Sequence, residues 1–185
     1  MLGSVDEAGD DRLVLVDLMD RPLGSATKTE AHRRGLLHRA FSVLLWRNTE
    51  QGAEILLQKR AQGKYHSGGL WTNSCCSHPR YGEELGDAVV RRLNEELGLP
   101  ADAVSGTEDI GTYVYRTVFA QGLIEYECDH VFLARCSGQP HADPEEAEEL
   151  SWVPLRQAID EVTSHPERFT SWFPGVLALA ASRIA

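Results

Sequence analysis

Short apolar runs separated by polar or glycine-containing segments dominate the first third of the chain, and this pattern is typical of strands. Residues 13–17 (LVLVD) predict a strand that ends in a turn at residues 20–24 (DRPLG). Residues 40–46 (AFSVLLW) and 54–60 (EILLQKR) flank a polar stretch that ends in Gly52, so they predict a hairpin.

One segment has the spacing of a helix instead. Between residues 83 and 97 the apolar positions recur at helical intervals. These positions are Val89, Val90, Leu93 and Leu97. Gly98 follows directly and is typical of a helix end. We therefore predict a helix over residues 83–97, on which Arg92 and Glu96 share a face because they are four residues apart.

The second half of the chain returns to strands and then becomes helical. Residues 111–119 and 123–135 predict two strands joined by a short turn. Residues 61–70, which contain glycines and a serine, predict a loop, and the acidic residues 141–149 predict a solvated loop. Residues 151–185 predict a short strand followed by two helices.

Composition limits the classes of protein to consider. The chain has 185 residues, of which 42% are hydrophobic and 25% charged, so we predict one globular domain spanning residues 1–185. Its 28 acidic and 18 basic residues give a formal net charge of -10. Because binding to a nucleic-acid backbone depends on neutralising phosphates, this charge argues against a nucleic-acid partner.

The sequence also bears on the compartment. Residues 1–11 are acidic and lack the basic and apolar regions of a signal peptide. The apolar run at residues 176–181 is far shorter than the ~20 residues needed to cross a bilayer. The four cysteines, at positions 75, 76, 128 and 136, have no CxxC spacing and are expected to be reduced thiols. We therefore expect a cytoplasmic protein without a membrane segment.

Two glutamates on the predicted strand 123–135 are candidate cation ligands. Successive side chains of a strand alternate between faces, so Glu125 and Glu127 point to the same side, about 6.6 Å apart along the strand. Together they can bind one cation. The alternative is that they face water on the outer side of a half-buried strand. Asp129 has the same parity and is compatible with either interpretation.

Three histidines add to this possibility. His32 and His38 flank a short segment that leads into a strand, and His78 follows the cysteine pair. Imidazoles combined with carboxylates suit zinc or manganese. Taken singly, each histidine is more often a surface residue or a satisfied core residue. Only convergence in space would indicate a metal site.

The adjacent cysteines in WTNSCCSHP (residues 71–79) have different expected roles. An extended backbone would point Cys76 and His78 to one face and Cys75 to the other. A thiol beside a metal-bound imidazole and nearby cations can be a reactive acid or base, whereas a thiol in apolar surroundings is an inert small hydrophobe. The alternative is that both thiols are simply buried.

Four cations lie in separate predicted elements: Lys28, Arg60, Lys64 and Arg92. If they converge, they form an anion site suited to a diphosphate, which arginines bind through forked hydrogen bonds. If they do not, they are solvated surface charges.

The residues assembled so far resemble a known family. The stretches at residues 69–79 (GLWTNSCCSHP), 88–98 (AVVRRLNEELG) and 125–127 (EYE) resemble the type I isopentenyl-diphosphate delta-isomerases of the Nudix superfamily. The match runs from about Lys28 to Trp172, and the stretch at residues 71–79 (WTNSCCSHP) is its most specific part. The resemblance implies an α+β fold, a Nudix-type α/β/α sandwich with a mixed β-sheet between helices.

The resemblance also implies an activity, the interconversion of isopentenyl and dimethylallyl diphosphate, and a set of functional residues. The ligands of a manganese or zinc ion would be His32, His38, His78, Glu125 and Glu127. Glu96 and the backbone carbonyl of Cys76 would hold a magnesium ion together with the substrate diphosphate. The implied partner is a small-molecule isoprenoid diphosphate, and we expect a monomer or weak dimer.

The remaining implied roles concern catalysis and substrate binding. Cys76 and Glu127 would be the acid and base on opposite faces of the alkene, and Tyr115 would assist Glu127. Trp172 would lie against the hydrocarbon, where an indole face can stabilise a carbocation. The diphosphate would be contacted by Lys28, Arg60, Lys64 and Arg92.

The chain departs from the related hydrolases at one informative position. Nudix hydrolases typically carry R-E-U-x-E-E-x-G-U, where U is aliphatic, and residues 91–99 here read RRLNEELGL. Arg92 thus replaces a metal-binding glutamate, which favours a reaction that leaves the diphosphate intact. The alternatives are a Nudix pyrophosphohydrolase and a non-catalytic module that binds a metal or an isoprenoid diphosphate.

Overall fold

Nine strands join into one sheet in the computed structural model, which describes residues 12–184. The strands are β1 (Arg12–Val16), β2 (Pro22–Thr27), β3 (His38–Thr49), β4 (Gly52–Arg60), β5 (Trp71–Thr72), β6 (Cys75–Ser77), β7 (Val104–Val118), β8 (Ile124–Cys136) and β9 (Ala147–Pro154). Within the same residues there are four α-helices, α1 (Lys28–Arg34), α2 (Leu85–Leu97), α3 (Leu155–Ser164) and α4 (Phe173–Ile184).

The long strand β3 organises the sheet because β1, β4, β6 and β8 all pair with it. It runs parallel to β8, with His38 opposite Glu127 and Trp46 opposite Arg135. Its pairings with β1, β4 and β6 are antiparallel. The predicted mixed sheet is therefore confirmed, and the parallel register brings the start of β3 beside the carboxylates of β8.

Helices cover both faces of this sheet. On one face Val43 and Leu45 of β3 pack with Val89 and Leu93 of α2. On the other, Leu44 of β3 lies in a second core cluster that includes Phe173, Val176, Leu177 and Ala180 of α4. Because a strand covered on both faces buries every side chain, the run at residues 40–46 is almost continuously apolar. The predicted α/β/α sandwich is confirmed.

Several predicted elements match the structure closely. The hairpin is β3 and β4, which close with Thr49 opposite Gly52. The predicted helix is α2, and it ends at Gly98, whose φ of 61° is in the left-handed region that glycine adopts without strain. The two helices predicted near the end of the chain are α3 and α4. The predicted strand at residues 13–17 is β1.

Other predictions are wrong in part. The turn placed at residues 20–24 overlaps β2, which begins at Pro22 and pairs with β1. The acidic loop placed at residues 141–149 overlaps β9, which begins at Ala147 and pairs with β4. Helix α1 was not predicted, because its seven residues KTEAHRR contain little apolar spacing, although Thr27 accepts a capping hydrogen bond from the Glu30 amide. The acidic start of the chain lies outside the described residues.

A polar network connects the turn between β1 and β2 to the neighbouring strands of the sheet. Asp20 accepts a hydrogen bond from Arg39 Nε at 2.8 Å and lies 3.0 Å from His130 Nε2. The other ring nitrogen of His130 lies 2.8 Å from Asp109 of β7. Asp20, His130 and Cys128 bring potential metal-ligand atoms close together. Since Arg39 and Asp109 already engage this group, we interpret it as a structural network.

Within residues 12–184, every helix is too short or too polar to span a bilayer.

Candidate active site

One cavity collects most of the residues singled out from the sequence. It opens beside the ends of β3, β6 and β8, and α1, α2 and the loop after β4 contribute to its walls. Its lining residues are Lys28, Ser42, Arg60, Lys64, Tyr65, Cys76, Ser77, His78, Arg92, Tyr115, Glu125, Glu127, Glu146 and Trp172.

Three histidines and one glutamate form a cluster at the edge of this cavity. His32 comes from α1, His38 begins β3 and His78 follows β6. Ligand atoms of these three residues and of Glu127 all lie within 4.8 Å of one another. Glu127 Oε1 is 2.9 Å from His78 Nε2 and 3.5 Å from His38 Nε2. The convergence that the sequence alone left open is therefore present.

The backbone orients two of these imidazoles. His32 Nδ1 lies 2.6 Å from the carbonyl oxygen of Lys28, and His38 Nδ1 lies 2.8 Å from that of Leu36. A ring that donates from Nδ1 presents its other nitrogen, Nε2, as a lone pair. Among the described residues, the buried Nε2 atoms of His32 and His38 have no hydrogen-bond partner. Two imidazole nitrogens are thus aimed at the centre of the cluster.

Burial keeps two of the rings in the form that binds metals. It lowers the pKa of His32 to about 4 and that of His78 to about 3. Burial would also raise the pKa of Glu127, but the neighbouring imidazoles of His38 and His78 outweigh it and hold this pKa well below its ordinary value. Neutral imidazoles and an ionised carboxylate fit a divalent ion such as zinc or manganese.

The glutamates of β8 face the interior. Glu125 and Glu127 are only 5% and 6% exposed, so the alternative that they face water is wrong. Tyr115 of the neighbouring strand β7 places its hydroxyl 2.6 Å from Glu127 Oε2 and 3.1 Å from Glu125 Oε2. Glu125 lies beside the cluster of four ligands rather than within it, and its Oε1 lies 2.5 Å from His66 Nε2.

The two cysteines point to opposite faces of β6, as the alternation predicts. Cys75 is fully buried in the core beneath α2, whereas Cys76 lines the cavity. The Cys76 thiol lies 3.5 Å from Asn73 Oδ1, which also accepts a hydrogen bond from Trp172 Nε1 at 3.2 Å. Burial raises the pKa of Cys76 to about 12, so the thiol is protonated at neutral pH.

All four predicted cations, Lys28, Arg60, Lys64 and Arg92, line the same cavity. Glu146, which comes from the acidic stretch 141–149, lines it beside them. Its carboxylate contacts Lys64 Nζ and lies 3.2 Å from Arg92 Nη2. Arg92 Nη2 also lies 2.5 Å from Glu96 Oε1. The positive charge of Lys64 and Arg92 is thus partly neutralised in this structure.

Sequence reasoning missed several residues of the site. Glu146 was assigned to a solvated loop, and no local pattern connects it to cations 54 and 82 positions away. Ser42 and His66 gave no signal because each is a single polar residue in an otherwise ordinary segment. Asp129 was left open; it is 1% exposed, burial raises its pKa well above its ordinary value, and it accepts a 2.7 Å hydrogen bond from Ser42.

Comparison with known proteins agrees with the fold. The sequence model of the NUDIX domain matches residues 36–173. The crystal structure of DR0079 from Deinococcus radiodurans superposes with a TM-score of 0.71, covering 90% of this chain and 97% of that chain at 21% sequence identity. At that identity the likeness concerns the fold alone. The fold and the matched domain thus define a Nudix-domain protein.

Two sequence relatives are more specific. The isopentenyl-diphosphate Delta-isomerase of Serratia proteamaculans is 45% identical over 164 residues, 89% of this chain and 88% of that protein. The isopentenyl-diphosphate Delta-isomerase of Photobacterium profundum is 46% identical over 179 residues, 95% of this chain and 97% of that protein. The chain therefore belongs to the isopentenyl-diphosphate Delta-isomerase family.

Proposed function

We propose that this protein interconverts isopentenyl diphosphate and dimethylallyl diphosphate by moving a proton onto the alkene and removing another. The observation that carries the proposal is that Cys76 and Glu127, a thiol and a carboxylate with opposite protonation states, line one cavity with Trp172. The names of the relatives, at 41–46% identity over most of the chain, support it.

The charge states suit a proton transfer in the direction of dimethylallyl diphosphate. The Cys76 thiol gives its proton to the terminal carbon of the double bond, leaving a thiolate and a tertiary carbocation on the substrate. Glu127 then takes a proton from the neighbouring methylene carbon, and the new double bond forms. The reaction is reversible, so the two residues exchange roles in the other direction.

The surroundings of the two groups support these roles. Cys76 and Glu127 have separate polar neighbours: Asn73 lies beside the thiol, and Tyr115 beside the carboxylate. The thiol and the carboxylate thus have different surroundings, which is compatible with their lying on opposite faces of a planar alkene. A tertiary carbocation would be captured by water, so the cavity must exclude it. Trp172, which is 3% exposed, offers an indole face that stabilises a cation without attacking it.

The cations would bind the diphosphate. Lys28, Arg60, Lys64 and Arg92 line the cavity, and guanidinium groups bind phosphate oxygens through paired hydrogen bonds. Burial lowers the pKa of Lys28, and the negative charges of Glu127 and Glu125 oppose this effect. A bound diphosphate would add negative charge and would likewise favour the charged ammonium group. The side chain of Glu146 would have to release Lys64 and Arg92 when the diphosphate binds.

Two metal sites complete the proposal. His32, His38, His78, Glu125 and Glu127 would hold a manganese or zinc ion, and Glu96 with the Cys76 carbonyl would hold magnesium beside the diphosphate. Bound metal ions supply fixed positive charge that neutralises the diphosphate and fixes the orientation of ligating carboxylates. The buried, unpartnered nitrogens of His32 and His38 support the first site. The second is supported by Glu96, which is 2% exposed and lies 2.5 Å from the cavity-lining residue Arg92.

We further propose that residues 1–185 act as one domain, as a monomer or weak dimer in the cytoplasm. The support is that the nine strands of residues 12–184 join into one sheet and that all four cysteines are free thiols.

The decisive experiment incubates the protein with isopentenyl diphosphate and magnesium and follows alkene protons and phosphorus by NMR. We expect the terminal alkene signals to be replaced by those of dimethylallyl diphosphate without release of phosphate. In deuterium oxide the product should carry deuterium in a methyl group, because the added proton comes from an exchangeable thiol. Phosphate release without migration of the double bond would indicate a hydrolase, and neither signal would indicate a binding module.

A further inference from the structure

A buried histidine outside the cavity lies directly behind two of its walls. His66 is 5% exposed and belongs to the loop that connects β4 to β5. It is absent from the cavity lining, whereas its neighbours Glu125 and Trp172 both line the cavity. A residue in this place acts on a ligand only through the groups in front of it.

The imidazole of His66 is fixed by contacts on several sides. Its ring stacks on Phe119 with the centroids 4.2 Å apart and the planes at 14°. It meets the Trp172 indole edge-on at 6.0 Å and 90°. Its Nδ1 lies 3.1 Å from the hydroxyl of Ser67. These contacts leave the ring little freedom to rotate, so Nε2 has one direction in which to point.

That direction is toward Glu125. His66 Nε2 lies 2.5 Å from Glu125 Oε1, while the second oxygen of this carboxylate lies 3.1 Å from the Tyr115 hydroxyl. His66 Nε2 and Glu125 Oε1 are close, but they are not aligned as in a regular hydrogen bond. Glu125 thus has a polar neighbour on each side, with His66 next to one carboxylate oxygen and Tyr115 next to the other.

The same residue joins this carboxylate to the cationic loop. The backbone carbonyl of His66 accepts a hydrogen bond from Arg60 Nη2 at 3.4 Å, and Lys64 precedes it by two residues. Ser67, which follows, has a φ of 54°, so the chain turns sharply there. Residues proposed to bind the diphosphate and a residue proposed to bind metal are therefore connected through His66.

We propose that His66 is a positioning residue that holds the Glu125 carboxylate in place beside the cluster of His32, His38, His78 and Glu127 and supports Trp172 from behind. This inference rests on the proposed function, because it takes Glu125 as a metal ligand. Groups behind a ligand typically change metal affinity or activity by about 10- to 100-fold when they are removed. The role needs only a nitrogen at the position of Nε2 and does not depend on ionisation of the ring.

Two substitutions separate the nitrogen from the ring. His66→Phe keeps a flat ring to stack on Phe119 but removes Nε2. His66→Gln removes the ring but places an amide nitrogen near the position of Nε2. His165→Phe makes the first exchange at an exposed position outside the cavity and serves as the control. Thermal unfolding of each variant establishes that the proteins compared are folded.

The primary measurement is the dissociation constant for Mn2+ in the metal-stripped protein. We expect His66→Phe to weaken Mn2+ binding about 10- to 100-fold, and His66→Gln to restore most of the affinity. We also expect kcat of His66→Phe to fall by a similar factor while KM for isopentenyl diphosphate stays within about threefold, because the diphosphate contacts remain. His165→Phe should match the parent in all of these values.

Three results would overturn the proposal. The first is a His66→Phe protein that binds Mn2+ as tightly as the parent, whatever its rate. The second is a folded His66→Gln protein that loses as much affinity as His66→Phe, because the nitrogen would then have no special role. The third is a His66→Phe protein whose kcat does not fall, or whose KM for isopentenyl diphosphate changes by far more than about threefold. If the parent binds Mn2+ but forms no dimethylallyl diphosphate, the proposed function fails while the Mn2+ comparison still decides the role of His66.

Discussion

Replacing Arg92 by methionine should destabilise the folded protein, because it leaves Glu96 as an unpaired carboxylate in the interior. Arg92 lies 2.5 Å from Glu96 Oε1 through Nη2 and 3.0 Å through Nε. The side chain of Glu96 is 2% exposed and that of Arg92 is 21% exposed. Removing one partner of a buried ion pair typically costs about 3–5 kcal/mol. Because Arg92 is partly solvated, we expect about 2–3 kcal/mol here.

The loss should depend on pH in a definite direction. Burial raises the pKa of Glu96 above its ordinary value of 4.5, and Arg92 opposes this shift. A carboxyl group with a raised pKa in the folded state contributes stability below its unfolded pKa and loses it as pH rises through the folded pKa. Removing Arg92 raises the folded pKa further. The variant should therefore be closest to the parent in acid and furthest from it at neutral pH.

The assay is urea unfolding and thermal unfolding of both proteins in EDTA at pH 7.5 and pH 5.5. At pH 7.5 a loss of about 2–3 kcal/mol corresponds to a fall of about 4–12 °C in the thermal midpoint of a chain of this size. At pH 5.5 the difference in unfolding free energy should be smaller than at pH 7.5. The reason is that a tenfold change in proton concentration alters the free energy of protonating a carboxylate by about 1.4 kcal/mol.

Neighbouring Arg91 provides a matched control. Its side chain is 20% exposed, similar to Arg92, but its partners Glu83 and Glu95 are more solvated than Glu96. Arg91→Met should therefore cost only about 1 kcal/mol or less. A double-mutant cycle completes the test, since Arg92→Met should cost little in a Glu96→Gln background. An equal cost in both backgrounds, or a cost that grows as pH falls, would refute the reasoning.

Three further predictions concern the proposed reaction, each followed by NMR of isopentenyl diphosphate. Cys76→Ala should remove nearly all turnover while Cys75→Ala keeps most of it, because only Cys76 lines the cavity; equal losses would contradict the facing argument. Glu127→Gln should reduce both bound metal and rate, and an unchanged metal content with an undiminished rate would remove Glu127 from the site. Tyr115→Phe, which deletes a 2.6 Å contact to Glu127, should lower kcat about tenfold or more with little change in KM; an unchanged kcat would show that the contact is not used.

Local sequence patterns predicted the framework of this protein well. Binary patterning identified β3, β4, β8 and α2, because those elements bury apolar side chains at regular spacing. The alternation of side chains in β6 separated the two cysteines for the same physical reason. Patterning failed at α1 and at the start of β9, which are short or acidic and are stabilised mainly by contacts with distant parts of the chain.

The residues of the site also differ in how far the sequence predicts them. Local sequence patterns could not predict whether His32, His38 and His78 come together, because their convergence depends on the register of β3 against β8 and β6. The family resemblance named these residues, whereas local spacing could not. Glu146 and His66 had neither a local pattern nor a place in the resemblance. Their partners are tens of residues away, so only the folded chain reveals them.

Arg92 connects the fold to the chemistry that we propose. In the hydrolase pattern this helix position carries a glutamate that binds metal, and here it carries a guanidinium between Glu96 and Glu146. A cation at this point removes one metal ligand and adds a group that can hold a diphosphate oxygen. The same cavity contains the Cys76 thiol, whose pKa burial raises to about 12, so the proton stays on the sulfur at neutral pH. In the reaction that we propose, the arginine would keep the diphosphate intact, and the thiol would supply the proton that moves the double bond.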